Sequence, residues 1–374
     1  MSRLVPCPFA ALRTLGVLAV LSCATSSNTA PSGTATLDGS AAAAADAGAD
    51  ASADCGDTQS APDNCGRCAH SCLGGECAEG KCLPVIISGS RSTSGIAVGA
   101  DFLYFGDRTT HEVLRVDKRT VKKQDYEVIA KAQQYPYAMT VNGGDLFWAD
   151  LSEFLAQSQG ILDITPNSGA IATLNAAGTV IYLAKPVDQP TEVRIVDGEA
   201  YWSTITGIYV APRAGGPARR VTAERADNLT VDATTVYFVD NEANQLRSIA
   251  RSATDGTSAS VARVVLPDCV EQDADALYVC MNDLLGKKRG GVARVTRAGV
   301  VTILVSGANS VSSLRLAGDY VYFSDNSSGI SRVRRDGAEP PEALYSGLAG
   351  PMTMDETAIY FSNRQGMTVL RLAL

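Results

Sequence analysis

Gly318-Asp319-Tyr320-Val321-Tyr322-Phe323-Ser324-Asp325 is one copy of the unit that organises this chain: a tight polar turn, a short apolar run ending in a bulky pair, then an acid. Seven such pairs occur: Tyr104-Phe105, Phe147-Trp148, Tyr201-Trp202, Tyr237-Phe238, Tyr278-Val279, Tyr322-Phe323 and Tyr360-Phe361. The intervals between them are 43, 54, 36, 41, 44 and 38 residues. Strand-like units repeating at a period near forty are the signature of a β-propeller, with one pair to each blade. The expected fold class is therefore all-β.

Aligned on the pairs, the repeats resolve into four strands. The first includes Gly95-Ile96-Ala97-Val98, Val193-Arg194-Ile195-Val196, Val270-Glu271-Gln272 and Leu314-Arg315-Leu316, and a Gly/Asp/Ala-rich hairpin turn leads from it into the strand with the pair. A third strand (Val113-Leu114-Arg115-Val116, Ile330-Ser331-Arg332-Val333) and a fourth (Glu127-Val128-Ile129, Thr302-Ile303-Leu304-Val305) complete the unit. The last repeat stops after Val369-Leu370-Arg371-Leu372 and lacks a fourth strand. Leu83-Pro84-Val85-Ile86-Ile87-Ser88-Gly89 resembles the fourth strands of the other repeats, so an N-terminal strand is expected to complete the C-terminal blade and remove the open edges. Seven blades follow. The alternative is a six-bladed ring in which Tyr278-Val279, the one pair without a second aromatic, is a spurious match. The 54-residue interval places an extra dozen residues within 152–189, as a longer loop or an extended outer strand.

Residues 1–22 read as an export signal, with Arg3 and Arg13 before the apolar run Leu15-Gly16-Val17-Leu18-Ala19-Val20-Leu21, which is too short to span a bilayer. Residues 23–54, almost all Ala, Ser, Thr, Gly and Asp, cannot bury enough surface to order and form a flexible tether with a reach of about 30 Å. Residues 55–83 hold Cys55, Cys65, Cys68, Cys72, Cys77 and Cys82 in the spacing C-x9-C-x2-C-x3-C-x4-C-x4-C, with almost no apolar residues. So short a segment needs covalent staples, and in an exported chain six cysteines imply three disulfides with fifteen possible connectivities. A zinc site built on Cys65, Cys68 and His70 is the rival reading, and the export signal argues against it. The propeller is expected over 84–374. There Asn228 should oppose Val239, and the same register carried to the next repeat sets Cys269 against Cys280 for a cross-strand disulfide.

The chain carries a net charge of −8, and loss of residues 1–22 makes it more acidic still, which disfavours nucleic acid as a partner. The chain has only two histidines, His70 and His111, and no G-x-S-x-G, HExxH, Walker or EF-hand pattern. No cofactor or metal is expected, and with only Trp148 and Trp202 a quinoprotein dehydrogenase is disfavoured. Several units place an acid or amide two residues after the pair: Asp107, Asp150, Asp240, Asp325 and Asn363. These are read as acceptors for backbone amides in the turn between second and third strands. That turn shares a face with the connections between blades, so Arg108, His111, Asp150, Asp240 and Asp325 are the candidate binding-face residues. His111 is the candidate general base only if the protein is an enzyme.

Three resemblances add to this reading. Val20-Leu21-Ser22-Cys23 resembles a bacterial lipobox, which implies lipidation at Cys23 by palmitate-type acyl chains, and Ala24 in place of Asp implies the outer membrane. Asn64-Cys65-Gly66-Arg67-Cys68 through Gly80-Lys81-Cys82 resembles the small Cys-rich module of exported myxobacterial proteins, in which it often precedes a propeller; here Ala69 stands where Gly is usual. The acids after the pairs, with Ile330-Ser331-Arg332-Val333, resemble YWTD/NHL- or WD40-like repeats, although no copy carries a full Tyr-Trp-Thr-Asp. The expected protein is a monomeric, lipid-anchored envelope propeller that binds or scaffolds a protein, peptide or polysaccharide. The alternative is a propeller hydrolase or lyase acting on an envelope polymer or lactone.

Overall fold

The computed structural model describes residues 55–374 apart from 90–91, 122, 124, 152–153, 159–160, 165–166, 284–286 and 288. The segments read as export signal and tether, with Cys23, lie outside the described residues. Seven four-stranded antiparallel sheets follow one another along the chain. The first blade runs Thr93–Val98, Phe102–Asp107, Glu112–Asp117 and Glu127–Ala130 from the inside outward. The seventh consists of Ala349–Met354, Ala358–Asn363 and Thr368–Ala373, and its outer strand is Val85–Gly89 from the other end of the propeller. Val85 opposes Arg371 and Ile86 opposes Leu370, so the ring closes as expected and no blade is left with an unpaired outer edge at the junction.

The reason for the bulky pairs lies in strand geometry. Successive side chains of a strand point to opposite faces, so each pair sends one residue into each of the two seams flanking its blade. Phe147 packs in the seam with the third blade beside Trp202, while Trp148 packs in the seam with the first blade beside Val113. Tyr278 and Val279 divide in the same way between two cores, which makes the fifth repeat a full blade and excludes the six-bladed ring. The core is thus seven interblade seams rather than one centre.

The long second repeat holds an additional hairpin, Phe154–Ser158 with Ile161–Ile164, between its second and third strands, and its outer strand Val180–Val187 is extended to eight residues. In the fifth blade Cys269 opposes Cys280 and the two form a disulfide. The N-terminal module is stapled by Cys55–Cys68, Cys65–Cys77 and Cys72–Cys82. The sulfurs of Cys65, Cys72 and Cys82 lie within 4.8 Å of one another, but each is spent in a disulfide and none is free to ligate zinc. His70 is spent as well: its ring bonds the Cys65 carbonyl and, at 2.7 Å, the carbonyl of Leu374, seating the module against the last blade.

Candidate functional site

The innermost strands line a central channel that a charged cluster divides. The residue facing the first member of each pair is Ala97, Thr140, Arg194, Thr230, Glu271, Arg315 or Thr353. Three of these seven are charged. Glu271 accepts from Arg194 at 2.9 Å and from Arg315 at 3.0 Å, while Glu192 lies 3.6 Å from Arg194 and accepts from Asn228 at 2.8 Å. Burial opposes the charge on Arg194, but Glu192 and Glu271 outweigh it and hold the guanidinium firmly protonated. The cluster separates a cavity of about 220 Å³ at one mouth from one of about 320 Å³ below. With two arginines against two carboxylates it is internally neutralised, and it reads as a plug.

At the upper mouth Asp268 is half-buried and accepts from the Asn282 amide at 3.2 Å. Burial, with a smaller contribution from Asp227, pushes its carboxyl up to about 6. Beside this mouth, at the seam of the first and last blades, opens a second cleft of about 260 Å³. Tyr137, Ser94, Ser312 and Pro351 line both spaces, so the cleft and the channel mouth are continuous.

The cleft wall is built by the connection between the first two blades, residues 131–135, which side chains of Asp150, His111, Trp148 and Arg108 help to hold. Asp150 accepts from the backbone amides of Gln134 at 2.9 Å and Tyr135 at 2.7 Å. His111, in left-handed backbone conformation, places its ring nitrogen 2.6 Å from the Gln134 carbonyl. The buried Gln133 accepts from the Trp148 indole at 3.2 Å. Arg108 donates to the Tyr135 hydroxyl at 3.3 Å. Tyr135 then stacks on Tyr137, with centroids 5.9 Å apart and planes inclined by 29°. The inner strand of the first blade comes so close that a Cβ on Gly95 would lie 1.7 Å from the Tyr137 carbonyl oxygen, and only glycine fits there.

Three of the five candidate residues therefore converge on one loop, and the other two do not. Asp240 accepts from the Ala243 amide at 2.9 Å in its own turn. Asp325 accepts from the Ser327 amide and hydroxyl at 2.9 and 2.8 Å. Burial would raise its carboxyl, but these bonds outweigh that and hold it below the usual carboxylate range. Asn363 closes its turn by accepting from Gln365 and Gly366. Asp325 also reaches the loop between the fifth and sixth blades, accepting from the Asn309 amide at 3.3 Å, as Asp150 does at the loop between the first two; at Asp150, however, burial raises the carboxyl in spite of the two amide bonds.

Sequence reasoning missed Arg364, which lines the cleft opposite Arg108. Burial and the neighbouring Arg108 guanidinium both lower its pKa. It also missed the channel cluster. The available signal was the charge at the inner-strand position of three repeats where the other four carry Ala or Thr.

No family model matches the chain, and no curated protein matches it. Among solved structures it is similar to a catalytically inactive histidine-to-alanine variant of virginiamycin B lyase from Staphylococcus aureus with quinupristin. That structure is 14% identical with a TM-score of 0.59, the match covering 78% of this chain and 98% of the other. YCF48 from Cyanidioschyzon merolae is similar at 10% identity and a TM-score of 0.55, over 78% of this chain and 98% of the other. YCF48 bound to D1 peptide aligns with the same identity and TM-score, over 94% of that chain. At these identities the likeness shows the fold alone, and the chain is a seven-bladed β-propeller preceded by a disulfide-stapled module.

Proposed function

We propose that this protein is an exported lipoprotein, anchored at Cys23 to the outer membrane. Its monomeric propeller serves as a binding or scaffolding module, presented beyond the tether of residues 23–54. In the finer reading it is a myxobacterial-type lipoprotein with YWTD/NHL-like repeats. Four disulfides support an oxidising compartment. A ring closed by its own N-terminal strand supports a single-chain head.

The observation that carries the binding reading is the continuous cleft and channel mouth. There a stacked tyrosine pair and two arginines without carboxylate partners among the described residues line the space. The architecture suits such a role: YCF48 is seen with a peptide and virginiamycin B lyase with quinupristin. Two measurements test the proposal in the native host. Wild-type protein should fractionate with the outer membrane and incorporate labelled palmitate, and Cys23→Ala should be unlabelled and soluble. Wild-type protein should also be retained by isolated envelope material, and Tyr137→Ala should lose most of that retention. A soluble wild-type protein overturns the anchor, and retention independent of Tyr137 overturns the binding face.

One observation favours the hydrolase or lyase reading, namely the Asp268 carboxyl at the channel mouth, pushed to where it can hold a proton near neutrality. That reading requires turnover of an envelope polymer or lactone that Asp268→Asn abolishes. Binding without turnover retires it.

A further inference from the structure

Most arginines of the described chain hold a carboxylate, as Arg115, Arg225, Arg251 and Arg332 do. Arg108 and Arg364 do not. Among the described residues neither forms an ion pair with an acid, although the protein is acidic overall and both line one cleft of about 260 Å³. Arg108 spends two of its donors on the Ser92 and Tyr135 hydroxyls, which orients the guanidinium without neutralising it. The Arg364 guanidinium has no hydrogen-bond partner among the described residues; its backbone amide alone is engaged, by Leu348. Two like charges that share a cleft without a counter-ion among the described residues destabilise each other, and an anion placed between them relieves this.

A second, independent observation comes from the hydroxyls of the same cleft. Ser362 is 4% exposed and Thr368 9%, and the hydroxyl oxygen of each is buried without a hydrogen-bond partner among the described residues. A buried hydroxyl with no partner leaves its desolvation uncompensated. Both residues line the cleft, whose two guanidinium groups have no carboxylate partner among the described residues, an arrangement suited to a polar, anionic occupant.

The remaining lining narrows the class. Tyr137 stands exposed and stacked on Tyr135, a flat apolar platform at the edge of a cleft otherwise walled mainly by hydroxyls and amides. Pyranose rings offer the matching surfaces, apolar C–H faces to lay on an aromatic ring and equatorial hydroxyls to meet Ser and Thr. The volume lies just below the roughly 300–1,000 Å³ of drug-sized sites, which suits a single ring with one charged group. We propose that this cleft binds a carboxylate-bearing pyranose, a uronate residue of an acidic polysaccharide, with Arg108 and Arg364 gripping the carboxylate and Tyr137 supporting the ring. This inference rests on the channel-mouth face being the binding face.

The test compares methyl β-D-glucuronide with methyl β-D-glucoside, which differ only in carboxylate against hydroxymethyl. Both are titrated calorimetrically at low ionic strength into the protein with its disulfides intact. The glucuronide should bind saturably and the glucoside at least about tenfold more weakly, a gap of about 1.4 kcal/mol. Arg108→Gln and Arg364→Gln should each weaken glucuronide binding about fivefold or more; the thermal midpoint of Arg364→Gln should be unchanged, and that of Arg108→Gln slightly lowered by loss of the bonds to Ser92 and Tyr135. N-acetylalanine, a carboxylate without a sugar ring, should not compete. Equal binding of the glucoside, full competition by N-acetylalanine, or indifference to both arginine substitutions each overturns the uronate assignment. Envelope retention separates the two readings. If the glucuronide fails while retention still depends on Tyr137, only the ligand class is wrong; if retention is also indifferent, the binding face itself is wrong.

Discussion

Two pairs of arginines stand close together in this molecule, and they have opposite meanings. Arg194 and Arg315 point into the channel, where Glu271 bonds both and Glu192 adds a second carboxylate. Arg108 and Arg364 line the neighbouring cleft and face no carboxylate among the described residues. The channel cluster looks more like an active centre on first sight, being central, charged and half-buried. Yet its charges are answered within the protein, although the Arg194 Nε has no hydrogen-bond partner among the described residues, so it has little charge left to offer a ligand. A cluster that is satisfied holds the ring together, and one left unsatisfied marks where something else is meant to bind.

The largest effect should come from breaking the satisfied pair. Glu271→Gln leaves two partly buried guanidinium groups without their shared counter-charge and should destabilise the propeller by about 3 kcal/mol in chemical denaturation. Replacing Glu271, Arg194 and Arg315 together by apolar residues of similar volume should recover most of that loss. If Glu271→Gln is neutral, the plug is not structural and the contrast between the two arginine pairs falls.

A pH-dependent effect should come next, at the channel mouth. An unperturbed aspartate carboxyl titrates at 3.8, whereas that of Asp268 is pushed up to about 6 in the folded protein. Between these values the folded state binds more protons than the unfolded state. The contribution of Asp268 to stability is therefore fully present below about pH 4 and is lost as the pH rises through 6. In urea melts from pH 4 to 8, wild-type protein should lose stability across this window relative to Asp268→Asn. Parallel curves for the two proteins would show that Asp268 is not perturbed.

Smaller still is the effect of His111→Ala, which removes one loop contact to the Gln134 carbonyl. A cost of at most about 1 kcal/mol is expected, read from the thermal midpoint. The smallest is that of Arg364→Gln, a surface change expected to leave stability within about 0.5 kcal/mol while weakening ligand binding. A large stability loss there would mean that Arg364, like Arg194, is already answered within the protein.

The parts of this structure that were legible beforehand share one property, that local pattern settles them. The pairs are bulky because strand side chains alternate between two buried seams, and this leaves a mark in every repeat. The opposition of Cys269 and Cys280 followed by counting along a hairpin from Asn228 and Val239. The Asp240 and Asp325 turns were legible for the same reason. The reach of Asp150 and Asp325 to interblade loops was not, because Gln134, Tyr135 and Asn309 belong to loops that only the packing of blades brings alongside. Arg364 follows the last aromatic-bearing strand with no local feature to separate it from any surface arginine. The three disulfides of residues 55–83 were countable but not assignable, since spacing alone leaves every connectivity open.

By itself, then, the sequence determined the repeat, the blade number up to one doubtful pair, the closing strand at Val85–Gly89 and the presence of a stapled module. These are consequences of periodicity and of apolar burial, which act over a few residues at a time. Tertiary structure alone decided which charges cancel. Arg194 and Glu271 are 77 residues apart in sequence and 2.9 Å apart in space, whereas Arg108 and Arg364, on the first and last blades, share a cleft only because the ring closes. Whether a charge is answered depends on what stands within a few ångströms of it, and in a closed ring that is set by neighbours across the channel and across the closing seam.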